Sequence, residues 1–150
     1  MVCQAYLDDP LLIDNKKFDM RLYVMLKGID PQPQLYLYNE GMARFCTEDY
    51  QKPDGGNLKD LYSHLTNFTL NKDNDKYVNK EDFMEEDSGT KRLVSNVLKQ
   101  LERDYDCGIE ELWEKIEEVV VKSFLVIMPY LRNQFHIELG PIHLSNSNCF

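Results

Sequence analysis

The segment Lys16-Lys17-Phe18-Asp19-Met20-Arg21-Leu22-Tyr23-Val24-Met25-Leu26-Lys27 alternates in character. Phe18, Met20, Leu22, Val24 and Leu26 fall on one side at period two, and Asp19, Arg21, Tyr23, Met25 and Lys27 on the other. That periodicity predicts a β-strand with one face on a core. Downstream, Gly28-Ile29-Asp30-Pro31-Gln32-Pro33 predicts a turn, because its two prolines cannot donate to a strand ladder. Leu35 to Tyr38 predicts a second strand, Asn39-Glu40-Gly41 a further turn, and Met42 to Cys46 a short third strand. Residues 1 to about 46 thus read as an antiparallel meander.

The character changes beyond that point. Pro53-Asp54-Gly55-Gly56 reads as a loop, Asn71 to Lys80 is dominated by Asn, Asp and Lys, and Glu81 to Asp87 carries five acids. Residues 47 to 90 are expected to be connecting surface with short helical pieces, among them the stretch Leu61 to Leu70. After Gly89 the period becomes helical. Leu93, Val94, Val97, Leu98 and Leu101 share one face. A second helix is expected from near Ile109, where Glu110 and Glu111 suit the helix dipole, through Leu112, Trp113, Ile116, Val119, Val120, Ser123, Phe124 and Ile127. Pro129 should kink or end it, and from His136 onward the chain is expected to be irregular. Strands followed by helices place the chain in the α+β class.

Composition narrows the function. The chain has 150 residues, with 17 Lys and Arg against 26 Asp and Glu, a formal net charge of -9. No broad basic face accumulates, which argues against a nucleic-acid partner. The longest uncharged apolar run, Ser123 to Leu131, falls far short of the roughly 20 residues needed to cross a bilayer. The first residues lack the basic start and apolar core of a secretory signal. Cys3, Cys46, Cys107 and Cys149 are irregularly spaced, with no C-x-x-C pair. Reduced thiols in a cytoplasmic protein fit better than a zinc site or a disulfide framework.

Three clusters could carry chemistry. Lys17, Asp19 and Arg21 share one strand face, where two cations would suit a phosphate and the carboxylate a ribose hydroxyl or a cation. A solvated face with cross-strand ion pairs explains the same pattern. Arg44 follows Tyr38-Asn39-Glu40-Gly41 and by itself reads as a surface arginine. In His64-Leu65-Thr66-Asn67, the histidine could be an acid, a base or a hydrogen-bonded structural group. Thr66 and Asn67 could bond a ligand or cap their own turn.

In order, however, these pieces form a series: Gln4-Ala5-Tyr6-Leu7, Pro10-Leu11-Leu12-Ile13, Lys17-Phe18-Asp19-Met20-Arg21, Tyr38-Asn39-Glu40-Gly41-Met42-Ala43-Arg44-Phe45, His64-Leu65-Thr66-Asn67 and Thr90-Lys91-Arg92. The series resembles the tubulin–tyrosine ligase-like family. The likeness runs from about Cys3 to the C-terminus and is densest as far as Arg92. It implies an ATP-grasp fold and a ligase that uses ATP and magnesium to join an amino acid to a tubulin carboxylate through an acyl-phosphate. Such chemistry gathers several anions, whose repulsion Lys, Arg and metal ions must offset.

The resemblance also implies roles. Gln4, Tyr6 and Leu7 match the adenine-pocket segment, with Ala5 contributing only backbone. Lys17 and Asp19 match an ATP-contacting pair, and Arg21 an arginine facing the phosphates and reacting centre. Arg44 matches the arginine that holds the carboxylate of the incoming amino acid. Thr66 and Asn67 match a nucleotide-contacting pair. Phe68 stands where many relatives have Tyr, Thr69 is a candidate amino-acid contact, and Lys91 matches the lysine of a Gly-Ser-Lys-Arg-like motif that meets the amino-acid substrate. Tyr38 to Phe45 and His64 to Lys72 are most similar to the glutamate-adding branch, so free glutamate and tubulin or microtubules are the implied substrate and partner.

The same resemblance implies a partial catalytic domain over residues 1–150, truncated at both ends, with the magnesium ligands outside the chain. On that reading this exact chain is expected to lack turnover, and cytoplasm, cytoskeleton, cilium or basal body is the expected location. Two other readings compete: a microtubule-binding pseudoenzyme that keeps the fold, and a ligase acting on glycine or on a non-tubulin tail.

Overall fold

The computed structural model describes residues 3–29, 32–77 and 89–139. Its sheet has four strands in the order β1-β2-β3-β4: β1 Leu12–Ile13, β2 Lys16–Lys27, β3 Gln34–Phe45 and β4 Lys91–Leu93. Helices α1 Leu61–His64 and α2 Phe68–Asn71 lie between β3 and β4, and α3 Val94–Tyr105 and α4 Ile109–Leu139 follow. The architecture is α+β, an antiparallel sheet followed by helices.

β1 and β2 form a hairpin in which Ile13 pairs with Lys16 across a two-residue loop. Asp14 and Asn15 have φ of 53° and 59°. Two left-handed residues are what a tight hairpin with the right strand twist requires, and Asp and Asn tolerate that backbone best after Gly. The alternation in β2 holds, with Leu26 buried and Arg21, Tyr23 and Met25 exposed.

Three sequence expectations need correction. Asn39-Glu40-Gly41 is not a turn, and β3 runs unbroken from Gln34 to Phe45. Of the described glycines only Gly28 and Gly89 have positive φ, and Gly41 instead lies buried in strand register with Ala43 and Phe45. Leu93 belongs to β4, not to the helix, because Lys91, Arg92 and Leu93 pair with Arg44, Ala43 and Met42 of β3. Tertiary pairing overrides the local period there. Finally, of the two outcomes expected at Pro129 the helix end does not occur: α4 continues to Leu139. An internal proline costs about 3 kcal/mol, but Phe124, Met128, Leu131 and Phe135 extend one apolar stripe across it. That stripe packs with Leu26, Ile29 and Leu35, and each buried side chain returns roughly 1.5–3 kcal/mol. The predicted irregularity therefore does not begin at His136, and residues 140–150, Cys149 included, lie outside the described residues, as do Asp30, Pro31 and the acidic run at 81–87.

The chain divides into two compact units. Met1–Arg21 with Gly41–Val97 makes one, and Leu22–Glu40 with Leu98–Phe150 the other. The second is organised by the α4 stripe. In the first, Ile13, Ala43, Phe45, Cys46, Val94 and Val97 are buried, and Phe18 stacks on Phe45 at 5.4 Å. Arg92 is also buried there. Its guanidinium lies 4.1 Å from the Phe45 ring centre and pairs with Asp14 at 2.6 Å. A buried cation thus ties β4 to the hairpin turn.

Candidate functional site

Every predicted site residue falls in the first unit. β2 and β3 supply Lys17, Asp19, Arg21 and Arg44, the α1–α2 segment supplies Thr66 to Thr69, and β4 supplies Lys91.

The structure brings some of these together in two groups. In the first, Lys17 Nζ donates to the Tyr6 hydroxyl at 3.0 Å and stands 4.4 Å from the Tyr6 ring centre. The Tyr6 hydroxyl is 3.2 Å from His64 Nδ1, and the His64 ring meets Tyr6 and Tyr50 edge-on. His64 is buried, with Nδ1 facing the Tyr6 hydroxyl and Nε2 without a partner among the described residues. Burial, followed by the bond with Tyr6, raises the Tyr50 hydroxyl above the ordinary tyrosine range.

In the second group Arg44 meets Asp19 through two contacts, Nε to Oδ1 at 3.1 Å and Nη2 to Oδ2. This two-point, charge-assisted arrangement is the strong form of an arginine–carboxylate pair. It also realises the cross-strand ion pair that the sequence allowed. Arg44 lines a small cavity with Thr66, Phe68, Tyr77, Thr90 and Lys91. Lys91 Nζ stands 4.6 Å from the Phe68 ring centre. The space enclosed is about 10 Å³, room for roughly one water. An amino acid entering here would have to move Lys91 or separate Arg44 from Asp19.

Gln4 and Leu7 are exposed beside Tyr6 in sequence, Arg21 is exposed on the Lys17–Asp19 face of β2, and Thr69 is exposed on α2. Thr66 lies with Arg44 and Lys91 rather than with Tyr6 and Lys17. Asn67 occupies the N-cap position of α2, yet its side chain makes no capping bond.

Residues not singled out from the sequence hold the site in place. Asn71 is 1% exposed. Its Oδ1 accepts from Thr47 N at 3.2 Å and Thr47 Oγ1 at 2.9 Å, and its Nδ2 donates to Leu65 O at 2.7 Å and Asn67 O at 3.0 Å. One side chain thereby fastens the Leu65–Asn67 segment to the end of β3. Tyr77 packs edge-on against Phe68, with ring centres 5.8 Å apart. As a lone aromatic in an Asn, Asp and Lys stretch, it was the one signal available there. Cys46 is fully buried, and burial pushes its thiol up to about 11. Glu48 is held below the usual carboxylate range chiefly by its bond from Lys76.

Among the described residues no three His, Cys, Asp or Glu side chains gather in a way that could hold a metal ion. No helix among them is long and apolar enough to cross a membrane.

Comparison with known proteins identifies the family. Residues 1–139 match the tubulin-tyrosine ligase family. A tubulin polyglutamylase of Caenorhabditis elegans, ttll-11, is 43% identical over 92% of this chain and 20% of its own length. Zebrafish (Danio rerio) tubulin polyglutamylase ttll6 is 38% identical over 100% of the chain and 18% of its own length. A probable beta-tubulin polyglutamylase of Tetrahymena thermophila is 41% identical over 99% of the chain and 12% of its own length. The chain therefore spans between 12 and 20% of these relatives. With a family match across nearly all its length, this chain belongs to the tubulin-tyrosine ligase family.

Proposed function

We propose that the chain is part of a longer ATP-dependent ligase that joins glutamate to a carboxylate of the tubulin C-terminal tail. The observation that carries this reading is the cavity on which Arg44 and Lys91 converge. Two cations at one small site suit an amino acid with two carboxylates. The relatives' description as tubulin polyglutamylases supports the same substrate.

The residues present fit an adenine nucleotide in kind. Tyr6 and Leu7 are 45% and 81% exposed and offer apolar surface next to the Gln4 amide. Lys17 and Arg21 supply charge for phosphates, and the Asn67 amide is not spent on capping. When bound, ATP supplies the phosphoryl group that activates the tubulin carboxylate. The chain's own contribution is positional. Arg44 orients one carboxylate of the amino acid, Lys91 holds the other, and Lys17 and Arg21 offset the charge of the phosphates. The described residues hold no magnesium site, so no step is assigned to that ion. The proposed setting is the microtubule cytoskeleton, including cilia and basal bodies.

The test is incorporation of labelled glutamate or glycine into microtubules by the full-length protein with and without ATP. Glutamate should be incorporated only with ATP, and Arg44→Ala should raise the glutamate KM roughly ten- to a hundredfold. Preference for glycine would refute the substrate assignment. Microtubule binding with no incorporation of either amino acid would establish a non-catalytic binder.

A further inference from the structure

The Tyr77 hydroxyl is buried and, among the described residues, has no hydrogen-bond partner. Buried polar groups are nearly always paired, and an orphan costs stability, so each one requires a reason. Tyr77 lines the same cavity as Arg44, Thr66 and Lys91. It touches Phe68, and Phe68 in turn carries the Lys91 ammonium over its ring. Lys91, Phe68 and Tyr77 are therefore one contiguous wall. Phe68 presents only a ring to that wall, so Tyr77 is its source of a phenolic hydroxyl.

We propose that Tyr77 is a substrate-contacting residue: its hydroxyl donates to a carboxylate oxygen of the amino acid bound between Arg44 and Lys91. The orphaned hydroxyl is then a partner held ready for the ligand. A phenol adds a directional neutral donor to two cations. It favours a carboxylate placed at one point of the cavity over an anion that merely enters it. The stability lost in the unbound protein is recovered on binding. This inference rests on the glutamate-ligase reading and assigns a further residue to it.

Two readouts on full-length Tyr77→Phe test it. The substitution removes one oxygen and keeps the ring against Phe68. The glutamate KM should rise roughly three- to tenfold and by more than the ATP KM, because Tyr77 lines the Arg44–Lys91 cavity whereas Tyr6 and Lys17 form the other group. The melting temperature without substrate should stay the same or rise, because an unsatisfied buried group has been removed. A purely structural tyrosine would do the reverse: a lower melting temperature and an unchanged glutamate KM. An unchanged glutamate KM overturns the proposal, whether or not a buried water had satisfied the hydroxyl. So does a fall in melting temperature, which would show that the hydroxyl has a protein partner. If wild-type protein incorporates no glutamate, the ligase reading fails and this inference with it. If it does, an unaltered Tyr77→Phe enzyme sinks this inference alone.

Discussion

Replacing Asn71 should loosen the site from beneath, because its side chain is spent on hydrogen bonds within the protein even though it also lines the Arg44–Lys91 cavity. Its side chain makes four hydrogen bonds at 1% exposure, two accepted from Thr47 and two donated to Leu65 and Asn67 carbonyls. At about 1 kcal/mol each, Asn71→Ala removes roughly 4 kcal/mol of local stability. The nearest reporter is the Thr47 amide, which loses its acceptor. Amide hydrogen exchange there should accelerate on the order of a thousandfold, since each 1.4 kcal/mol is a factor of ten. Asn71→Asp sharpens the test because it is isosteric. The bonds from Thr47 survive, but the donor to Leu65 and Asn67 becomes an acceptor facing two carbonyl oxygens. Burial, with the second oxygen facing two carbonyl acceptors, raises the introduced carboxyl above its unfolded value, so the neutral form, which can donate to one of those carbonyls, is favoured and the variant regains stability as pH falls. A less than about threefold change in Thr47 exchange for Asn71→Ala would refute the reasoning, as would an Asn71→Asp deficit that does not shrink on acidification.

Two other predictions follow from buried groups. Asp14 is half exposed while its partner Arg92 is 6% exposed at the side chain, so the two ends of this pair are not equivalent. Asp14→Asn, which keeps the left-handed turn, removes the Asp14 counter-charge from a buried guanidinium and should cost about 1.5–3 kcal/mol in urea denaturation; Arg92→Met should cost less, because the carboxylate left behind is half exposed. Cys46, with its thiol pushed up to about 11 by burial, should resist alkylation at pH 8 in the native protein while exposed Cys3 reacts. Mass spectrometry of singly labelled protein would read this directly, and early labelling of Cys46 would contradict it.

The strand periodicity of Phe18 to Leu26 was legible because its apolar side is the less exposed one, and the helix α4 was legible as a helix, but its packed stripe was not: of the residues expected on it Val119 and Ile127 stand exposed, and Met128, Leu131 and Phe135 join Phe124 instead. What local pattern could not show was long-range pairing. Lys91 to Leu93 reads as helix until Met42 to Arg44 lies beside it. Asn39-Glu40-Gly41 has turn composition, yet flanking pairs keep it extended. Pro129 breaks an isolated helix but not one whose apolar side is gripped on both sides of it. At the site, motif order indicated Arg44, Lys91 and Thr66, and the structure gathers these at one cavity. Asn71 and Tyr77 escaped because their importance lies in what they bond, or fail to bond, across tens of residues.

The Asp19–Arg44 pair makes occupancy an exchange. On the proposed function, a carboxylate arriving at Arg44 would trade places with one already seated there, so the gain from charge alone would be small: one charge-assisted pair forms as another is given up. Simple anions such as acetate or chloride are thereby poor competitors at ordinary concentrations. A ligand wins the trade only by adding contacts that Asp19 lacks, at Lys91 or elsewhere around the cavity. An internal carboxylate so placed acts as a resident competitor and sets a threshold that filters ligands by shape before charge.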